Sequence, residues 1–396
     1  MKILVLNAGS SSLKFQLLNS QNLQVIFKGL IEAIGLPSSS FTSEFDNQII
    51  KETFPVGDHS EALKIGITKL LISKAIHDLE EITLIGHRVV HGGEIYQKSA
   101  LINTKVKKDI ADLAHLAPLH NPANLAGILS CEKLLPHVPQ VAVFDTAFHQ
   151  TMPEKAYLYG LPYELYTKHK NRRYGFHGIN HKYVSQEAIK YLKKKQLPYD
   201  RIISCHLGNG CSITAINKGK SVDTSMGFTP LQGLLMGTRS GDLDPAIPTE
   251  LCQILNKTPA EIETMLNKES GLKGVSGISS DLRILHQEDL LGNAHARRAI
   301  ALFSYTLAKY IAAYTTILNG VDALIFTAGI GEHAYYLRQE VCQYLTHFKV
   351  HIDTQKNQAN KFTIHKGSSK PKIFVIPANE ELEIARETLK IYHQKD

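Results

Sequence analysis

A short apolar strand that ends in a small polar turn opens this sequence. Ile3–Leu6 runs directly into Asn7-Ala8-Gly9-Ser10-Ser11-Ser12-Leu13-Lys14, and Phe15–Leu18 then resumes as a strand. Serine hydroxyls donate hydrogen bonds, Gly9 lets a ligand approach the backbone, and Lys14 supplies a charge suited to phosphoryl oxygens. Because GxxxxGK[ST] is absent, the pattern predicts a β-hairpin with a phosphate-binding tip, and the alternative is a serine-rich surface turn.

The same order of strand, tip and strand returns in the second half of the chain. Residues 202–216 form an apolar stretch interrupted by Gly208 and Gly210, a pair that can aim successive N–H groups at an anion. A third apolar strand, residues 322–332, ends in Gly329 and Gly331. A single glycine pair is usually a structural turn, but three such tips indicate a duplicated fold that closes around a nucleotide.

The length and composition set limits on the class of protein. With 396 residues, 43% hydrophobic and 20% charged, the sequence is typical of a two-domain globular protein. No run is long and apolar enough for a bilayer, and only four apolar residues follow Lys2, so we expect neither a membrane segment nor a signal peptide and predict a cytoplasmic location.

Cysteine and charge patterns exclude further classes. The five cysteines are spread without a CxxC pair, which argues against disulfides and zinc. The net charge of +7 is dispersed, and no basic face interleaved with aromatics appears, so nucleic-acid binding is not expected.

Strands and helices alternate along the chain, which predicts an α/β fold. We expect two domains: residues 1–148 with a returning C-terminal helix 382–396, and residues 149–381. The predicted elements are helices at 60–73, 259–267, 294–318 and 381–392 and strands at 82–85, 140–144 and 372–376.

Several polar residues at strand ends and in glycine-marked loops are candidates for chemistry. Arg88 and Arg239 lie beside glycines, and arginine forks bind carboxylates and phosphates, although a surface salt bridge is the alternative for either one. Asp145 follows an apolar strand and suits a catalytic base, an orienting group or a helix N-cap. His120 and His177 lie in tight loops and suit hydrogen-bond donation to a transferring group, although a lone histidine is more often structural.

The spacing of the histidines and the presence of two oxygen-bearing side chains bear on metal binding. The pairs His87/His91 and His177/His181 are spaced by four but lack the glutamate of HExxH, so a transition-metal site is not expected. Asn7 and Glu380 carry oxygen atoms that suit a hydrated magnesium ion, although spacing alone does not bring them together.

Three segments carry a resemblance that extends along essentially the whole chain. They are Leu6–Phe15, Gly86–Gly93 and Gly227–Asp242, and together they resemble the acetokinase (acetate kinase) family of the superfamily that includes sugar kinases, actin and heat-shock ATPases. The resemblance implies two duplicated ribonuclease-H-like domains, each with a mixed central sheet flanked by helices, and an active site in the interdomain cleft. It implies that the first domain, residues 1–148 with helix 382–396, forms the substrate and phosphate side and that the second, residues 149–381, forms the nucleotide side. It also implies a homodimer.

The resemblance also implies roles for matching residues. Arg88 and Arg239 would anchor the substrate carboxylate and the transferring phosphoryl group, His177 would stabilise the transition state, and Asp145 would be the catalytic carboxylate. Magnesium, with Mn²⁺ as a substitute, would be held by Asn7 and Glu380. The acetate site would comprise Arg88, Val90, Leu119, His120, Phe176 and Pro230. The ATP/ADP site would comprise Ser10, Ser12, Lys14, His206, Leu207, Gly208, Asn209, Gly210, Asp281, Leu282, Arg283, Gly329, Ile330, Gly331, Glu332 and His333.

Two departures from the family pattern affect the nucleotide side. The family usually has Thr-Gly-Gly-Ile-Gly-Glu-Asn where this chain has Thr327-Ala328-Gly329-Ile330-Gly331-Glu332-His333. Ala328 and His333 therefore leave the purine preference open. The segment before Glu380 begins Pro377-Ala378 instead of the usual Pro-Thr. This change leaves the glutamate in place.

The expected reaction is reversible transfer of a phosphoryl group from ATP to acetate, giving acetyl phosphate and ADP. A propionate or other short-chain carboxylate kinase is the nearest alternative, because one methylene in an apolar pocket changes binding by only about 1–3 kcal/mol. A sugar kinase lacks support from any recognisable sugar-binding aspartate. The nonenzymatic alternative is an ATP-driven binding module of the actin or heat-shock type, for which the arginine loops would have no evident purpose.

Overall fold

The computed structural model describes residues 1–9 and 11–394 of the chain. They form two compact units: unit 1 is Met1–Phe148 with the C-terminal segment from Asn379, and unit 2 is His149–Ala378. Whether these units are independent domains stays a prediction. The strands in the described residues are β1 (Lys2–Ala8), β2 (Ser12–Asn19), β3 (Val25–Glu32), β4 (Ser39–Phe45), β5 (Gln48–Phe54), β6 (Ile82–Val89), β7 (Ala100–Leu101), β8 (Gln140–Phe144), β9 (Arg201–Leu207), β10 (Cys211–Asn217), β11 (Lys220–Thr224), β12 (Ala323–Thr327) and β13 (Lys372–Val375).

The helices in the same residues alternate with these strands. The α-helices are α1 (His59–Ile72), α2 (Thr104–Asp112), α3 (Asn121–Leu134), α4 (Glu154–Tyr157), α5 (Tyr163–His169), α6 (Gly178–Lys194), α7 (Ala246–Ile254), α8 (Pro259–Lys268), α9 (Gly271–Ser276), α10 (Leu282–Leu290), α11 (Ala294–Ile317), α12 (Ala328–His333), α13 (Tyr335–Tyr344), α14 (Thr354–Gln358) and α15 (Glu380–His393). Short 3₁₀ helices occur at Leu79–Glu81, Leu113–Leu116, Ala147–Thr151 and Thr346–Phe348.

The sheet of unit 1 contains the first predicted hairpin. Its described strands are ordered β5-β4-β3-β2-β1-β6-β8-β7. β1 and β2 pair antiparallel with Asn7 opposite Lys14, whereas β6 is parallel to β1 and β8 is parallel to β6. Residues 3–5 of β1 are almost fully buried, as expected of a central strand covered on both faces. The predicted hairpin is therefore confirmed.

The sheet of unit 2 repeats this arrangement. Its described strands are ordered β11-β10-β9-β12-β13, which corresponds to β3-β2-β1-β6-β8 of unit 1. In both sheets two antiparallel pairings are followed by two parallel ones. The duplicated α/β fold predicted from the repeated strand-and-tip pattern is confirmed. The third tip differs from the first two, because β12 leads into helix α12 and Ala328 adopts a left-handed φ of 64°.

Helix positions follow from capping residues and apolar faces. Helix α8 begins with a capping box in which Thr258 and Glu261 bond each other's backbone N–H groups, and Pro259 occupies the first turn. Helix α11 buries one apolar face, including Phe303, Leu307 and Ile311. None of the described helices is both long and apolar enough to cross a membrane.

Helix α15 packs against the sheet of unit 1 at Gly86. A Cβ at this position would lie within 2.3 Å of Thr388 Oγ1 and 2.8 Å of Ile384 Cγ2, so only glycine allows the helix this close to β6. Asn379 caps the helix by accepting a hydrogen bond from the Leu382 N–H. This close packing sets the first turn of α15, with Glu380 and Glu381, beside the end of β6.

His87 in β6 makes the stability of the protein sensitive to acid. Its Nε2–H donates to Gln140 Oε1 at 2.7 Å, and burial lowers its pKa to about 4, against a smaller opposing effect of that bond. Between that value and the ordinary pKa near 6.5, the unfolded chain binds a proton that the folded chain does not. The free energy of unfolding therefore falls as the pH drops through this window, by up to about 1.4 kcal/mol per pH unit from this residue.

We expect His87→Gln to flatten this dependence. Urea unfolding from pH 7 to pH 4.5 should give a smaller loss of stability for the variant than for the unsubstituted protein. Equal slopes, or a histidine NMR titration that places the His87 pKa near 6.5, would contradict the buried neutral state.

Candidate active site

Arg88 is at the centre of a group of polar side chains in unit 1. Its Nη2 donates to Asp145 Oδ2 at 3.0 Å, its Nη1 donates to Asn7 Oδ1 at 3.4 Å, and its Nε lies 3.8 Å from Glu380 Oε2. These residues come from β6, the end of β8, β1 and the first turn of α15. We call Asn7, Arg88, Asp145 and Glu380 the arginine–acid cluster, which brings together four of the predicted site residues.

Excess negative charge shapes the electrostatics of this cluster. The pKa of Glu380 is raised to about 7, chiefly by burial; the positive charge of Arg88 opposes this rise, and the negative charges of Asp145 and Glu381 contribute to it. Burial by itself lowers the pKa of Arg88, but the carboxylates of Asp145 and Glu380 outweigh that effect and raise it. The arginine stays charged, while the carboxylates would gain from an additional cation.

A magnesium ion fits this charge pattern. Asn7 and Glu380 supply oxygen ligands. Because the pKa of Glu380 is raised, a cation bound beside it would favour the ionised form of this carboxyl group. Within the described residues, no group of three or more His, Cys, Asp or Glu side chains is arranged to hold a metal. Magnesium in nucleotide sites commonly uses one or two protein oxygens together with water and phosphate, so the two-ligand set is compatible with it.

The tip of the first hairpin lies beside the same cluster. Lys14 Nζ forms a 2.7 Å ion pair with the buried carboxylate of Glu381, while the lysine remains about half exposed. The Gly9 N–H donates to the Ser12 carbonyl, and a Cβ at Gly9 would lie 2.7 Å from Ser12 Oγ. Gly9 and Ser12 are therefore held close together at the tip, and phosphate binding there stays a prediction; the predicted residue Ser10 lies outside the described residues.

The loop after β6 is held by two buried amides that the sequence analysis did not single out. Asn124 accepts from the Val90 N–H at 3.0 Å and donates to the Ala8 carbonyl at 2.8 Å. Asn121 accepts from the His91 N–H and donates to the His91 carbonyl. The sequence does contain a signal for this pair. The two asparagines are three positions apart in a helix and have apolar residues near them, and this spacing places both on one face of the helix.

The predicted acetate-site residues of unit 1 differ in exposure. Val90 is buried, whereas the Leu119 side chain is 69% exposed and precedes His120, which occupies the N-cap position of α3. In unit 2, Phe176 is buried, and the Pro230 carbonyl accepts from Arg239 Nη1 at 3.2 Å. Whether these residues share one pocket stays a prediction.

Three predicted residues of unit 2 converge at the turn between β9 and β10. We call Gly208–Gly210 the glycine tip; the Gly208 N–H donates to the Gly210 carbonyl at 3.1 Å. A Cβ placed on Gly210 would lie 3.4 Å from Arg239 Nη1 and 3.5 Å from His177 Nε2. The arginine fork and the imidazole edge therefore meet beside a backbone turn suited to an anion.

Arg239 differs from Arg88 in its partners. Among the residues that the structure describes, no carboxylate pairs with Arg239; its Nη1 contacts only the Pro230 carbonyl and, at 3.8 Å, Met236 Sδ. Burial lowers the pKa of this guanidinium. A partly buried arginine without an acid beside it retains hydrogen-bonding capacity for an incoming anion.

The loop that carries Arg239 is fixed by close backbone contacts. The Gly237 N–H donates to the Asn209 carbonyl at 3.1 Å, and a Cβ on Gly237 would lie 2.4 Å from Asn209 Oδ1. Gly271 has a φ of +64° and lies against the Met236 carbonyl, where a Cβ would lie at 2.3 Å. Glycines at both positions allow the loop to lie against the glycine tip.

Two histidines stack directly behind the glycine tip. The rings of His177 and His206 are nearly parallel, with centroids 4.0 Å apart. His177 Nδ1 lies 2.9 Å from Ser212 Oγ, and Asn180 Nδ2 donates to His206 Nδ1 at 2.8 Å. Both rings are thus fixed through Nδ1, and His177 itself adopts a left-handed φ of 57° at the start of α6.

A cavity of about 500 Å³ adjoins the glycine tip in unit 2. Its lining includes eight residues predicted to contact the nucleotide: Gly208, Asn209, Asp281, Leu282, Arg283, Gly329, Ile330 and His333. Arg283 is strongly exposed and forms a 2.6 Å ion pair with Asp281. The volume lies within the range typical of small-molecule sites.

Three further residues line the cavity and were missed from the sequence. They are Ser280, Ala334 and Tyr336. Tyr336 donates its hydroxyl to the Leu282 carbonyl, and its ring stacks on His286 with centroids 3.5 Å apart. Each of these three residues lies within three positions of a predicted one. Proximity in sequence to the predicted residues was therefore the signal that could have identified them as part of the cavity lining. The predicted residue Glu332 instead accepts from the Ala378 N–H at 2.9 Å, and Gly331 is buried against the end of β12.

Comparison with known proteins places this chain in a family. The model of the acetokinase family matches residues 2–386. An acetate kinase of Thermotoga maritima is 50% identical, with 99% of this chain and 98% of that protein covered. The crystal structure of Porphyromonas gingivalis acetate kinase is 43% identical in sequence, and that of a propionate kinase from Francisella tularensis is 45% identical. The matches cover 98–99% of this chain and 99% of each of those chains, and both superpose with a TM-score of 0.93. The chain belongs to the acetokinase family.

Proposed function

We propose that the protein catalyses reversible, magnesium-dependent transfer of the γ-phosphoryl group of ATP to acetate, giving acetyl phosphate and ADP. An acetate oxygen forms a bond to the γ-phosphorus as the bond from that phosphorus to the β–γ bridging oxygen breaks, and ADP leaves with the electron pair. Acetate is already ionised at neutral pH, so no proton has to be removed from the nucleophile. The main task of the protein is then to position two anions and offset their repulsion.

One observation carries this proposal beyond the family match: Arg239 lies with His177 beside the glycine tip and has no carboxylate partner among the described residues. A buried structural arginine has its guanidinium N–H groups occupied by protein acceptors, as Arg338 does by the Asn357 side chain and the Gly331 and Asn357 carbonyls. An arginine fork left without an acid, next to an imidazole and a turn of backbone N–H groups, suits a phosphoryl group in transfer.

The residues of unit 2 are assigned to the nucleotide and the phosphoryl group. We assign the ATP phosphates to the glycine tip and His206, and the nucleoside to the cavity lined by Asp281–Arg283 and Gly329–His333. Arg239 and His177 donate hydrogen bonds to the oxygens of the transferring group. Donors aimed where charge is redistributed lower the barrier without reorganising during the reaction.

The residues of unit 1 are assigned to the carboxylate and the metal. Arg88 binds the carboxylate of acetate, and Asp145 holds the Arg88 guanidinium in place, as their 3.0 Å contact supports. Asp145 is therefore an orienting group in this proposal and not a proton acceptor. Asn7 and Glu380 would hold magnesium, which when bound supplies positive charge to the phosphate oxygens of ATP.

Propionate is the second candidate acceptor. The propionate kinase structure of Francisella tularensis resembles this chain as closely, by TM-score, as the acetate kinase structure of Porphyromonas gingivalis. An apolar pocket discriminates between the two acids by about 1–3 kcal/mol for the single methylene. Acetate and propionate kinases would then share one mechanism and differ in kcat/KM.

Acyl-phosphate formation tests the proposal and separates these candidates. The protein is incubated with magnesium and ATP and with acetate, propionate, butyrate or no acceptor, and the acyl phosphate is trapped with hydroxylamine. We expect the highest kcat/KM with acetate. Preference for a longer acid would keep the mechanism and change the substrate, whereas ATP hydrolysis without any acyl hydroxamate would favour an ATP-driven binding module.

The family resemblance also supports two properties of the whole protein. We propose a homodimer in the cytoplasm; the five cysteines, all of them free in the structure, are compatible with a reducing compartment. Light scattering during size-exclusion chromatography should give twice the chain mass of 44.0 kDa. A mass equal to one chain at micromolar concentration would contradict the dimer.

A further inference from the structure

A chain of serine and histidine side chains runs through the interior of unit 2 and ends at His177. Ser204 Oγ lies 2.9 Å from His181 Nδ1, His181 Nε2 lies 2.8 Å from Ser212 Oγ, and Ser212 Oγ lies 2.9 Å from His177 Nδ1. Ser204, His181 and Ser212 are fully buried. The serines come from β9 and β10, and the histidines are one turn apart on α6 and its N-cap.

The direction of the hydrogen bonds follows from the first member of the chain. Among the residues that the structure describes, His181 Nδ1 is the only hydrogen-bond partner of the Ser204 hydroxyl. A buried hydroxyl proton without an acceptor is costly, so Ser204 donates to His181 Nδ1. Burial lowers the pKa of His181 well below its usual value, and the neutral ring therefore carries its single proton on Nε2.

The next two links are then determined. His181 Nε2–H donates to Ser212 Oγ, and among the described residues the remaining partner of Ser212 is His177 Nδ1, which accepts the Ser212 hydroxyl proton. A second proton on His177 Nδ1 would give the Ser212 oxygen two donors and leave its own proton without an acceptor. The chain thus favours a neutral His177 with its proton on Nε2, a ring atom that lies 3.5 Å from the position of a Cβ on Gly210 in the glycine tip.

We propose that Ser204, His181 and Ser212 are positioning residues that hold His177 in the neutral Nε2–H tautomer, so that it donates a hydrogen bond at the glycine tip. Asn180 positions the stacked His206 in the same way. Its amide donates to His206 Nδ1, so Nε2 of that ring carries the proton. The tautomer follows from the geometry of unit 2 alone, whereas its expected effect on kcat rests on the proposed phosphoryl transfer.

NMR of the full-length protein tests the tautomer without any assay of activity. Two-bond ¹⁵N–¹H correlations of ¹⁵N-histidine-labelled protein distinguish the two neutral tautomers and the imidazolium, and the signals lost in His177→Asn identify His177. We expect the Nε2–H tautomer at pH 7.5. An Nδ1–H tautomer or an imidazolium would overturn the inference, even if acetyl phosphate is formed normally.

Kinetics of serine variants test whether the chain acts through His177. Ser212→Ala should lower kcat by about tenfold or more, because His177 loses the hydrogen bond that holds it as a donor at the reaction centre. KM for acetate should change by less than about threefold. Ser212→Cys, which keeps a weak donor, should recover part of the loss. Ser204→Ala should lower kcat by a smaller factor and have no added effect in the Ser212→Ala background.

A matched serine separates positioning from packing. Ser221 is buried and its Oγ lies 2.9 Å from His149 Nδ1, so Ser221→Ala removes the same type of bond outside the chain that leads to His177. This variant should keep the kcat of the unsubstituted protein. Equal losses of kcat in Ser212→Ala and Ser221→Ala, or full additivity of Ser204→Ala and Ser212→Ala, would overturn the positioning role.

Discussion

Replacing Arg239 with alanine is expected to lower kcat by about a thousandfold while KM for acetate rises only severalfold. Arg239 has no carboxylate partner among the described residues and lies with His177 beside the glycine tip. An interaction made mainly with the transferring phosphoryl group is lost from kcat and kcat/KM alike, whereas lost ground-state binding would appear in KM. Because Arg239 stabilises no acid, its removal should change the melting temperature little.

Steady-state kinetics with both substrates varied would measure this effect. Arg297→Ala serves as the control. Arg297 lies in the same unit and forms an ion pair with Glu340, and both residues are distant in sequence from the glycine tip. Arg239→Lys should remain strongly impaired, since an ammonium group cannot reproduce the arginine fork. Near-normal kcat in Arg239→Ala would refute the role in phosphoryl transfer.

Replacing Arg88 with alanine should impair both catalysis and folding. Its guanidinium lies among Asn7, Asp145 and Glu380, and its removal leaves the buried carboxylate of Asp145 and the partly buried one of Glu380 without their cation. Breaking a buried ion pair by deleting one partner costs about 3–5 kcal/mol. We also expect kcat/KM for acetate to fall by about a thousandfold, because the carboxylate of the substrate loses its bidentate partner.

Arg201 provides the matched control for this variant. It forms a 2.6 Å ion pair with the buried Asp322 at the start of β9 and is assigned no contact with substrate. Arg201→Ala should therefore lower the melting temperature without a comparable loss of kcat/KM measured below that temperature. If Arg88→Ala lost stability yet kept its kcat/KM for acetate, Arg88 would be structural and the carboxylate assignment would be wrong.

The predictable parts of the fold were those set by local sequence patterns. The apolar runs on either side of Gly9 and Gly208 predicted both hairpins, and helical spacing located α1, α8, α11 and α15 to within about two residues of their ends, the usual accuracy for boundaries. The glycines near Arg88 and Arg239 lie in closely packed backbone, as at Gly86 and Gly237, and the functional role of the two arginines stays a prediction. These features depend on turn geometry and periodicity, which a single sequence displays.

The contacts between distant segments could not be predicted from the residues alone. Asn7 lies beside Arg88 because β1 pairs with β6, and Glu380 lies there because α15 packs against Gly86, 294 positions earlier than the helix start in the chain. His177 and His181 are four residues apart, as some metal-binding histidines are, yet Ser204 and Ser212 on two strands of a hairpin are among their partners. Side chains that meet across a sheet and a helix leave no signal at any fixed spacing.

The most direct test of phosphoryl transfer to a carboxylate uses [¹⁸O₂]acetate with magnesium and ATP, followed by ³¹P NMR. Direct attack by an acetate oxygen places ¹⁸O between carbon and phosphorus, so we expect acetyl phosphate whose ³¹P signal carries the shift of one ¹⁸O, formed in equal amounts with ADP. Consumption of ATP to ADP and unlabelled inorganic phosphate, with no ¹⁸O-shifted acetyl phosphate at any time, would contradict the proposed function.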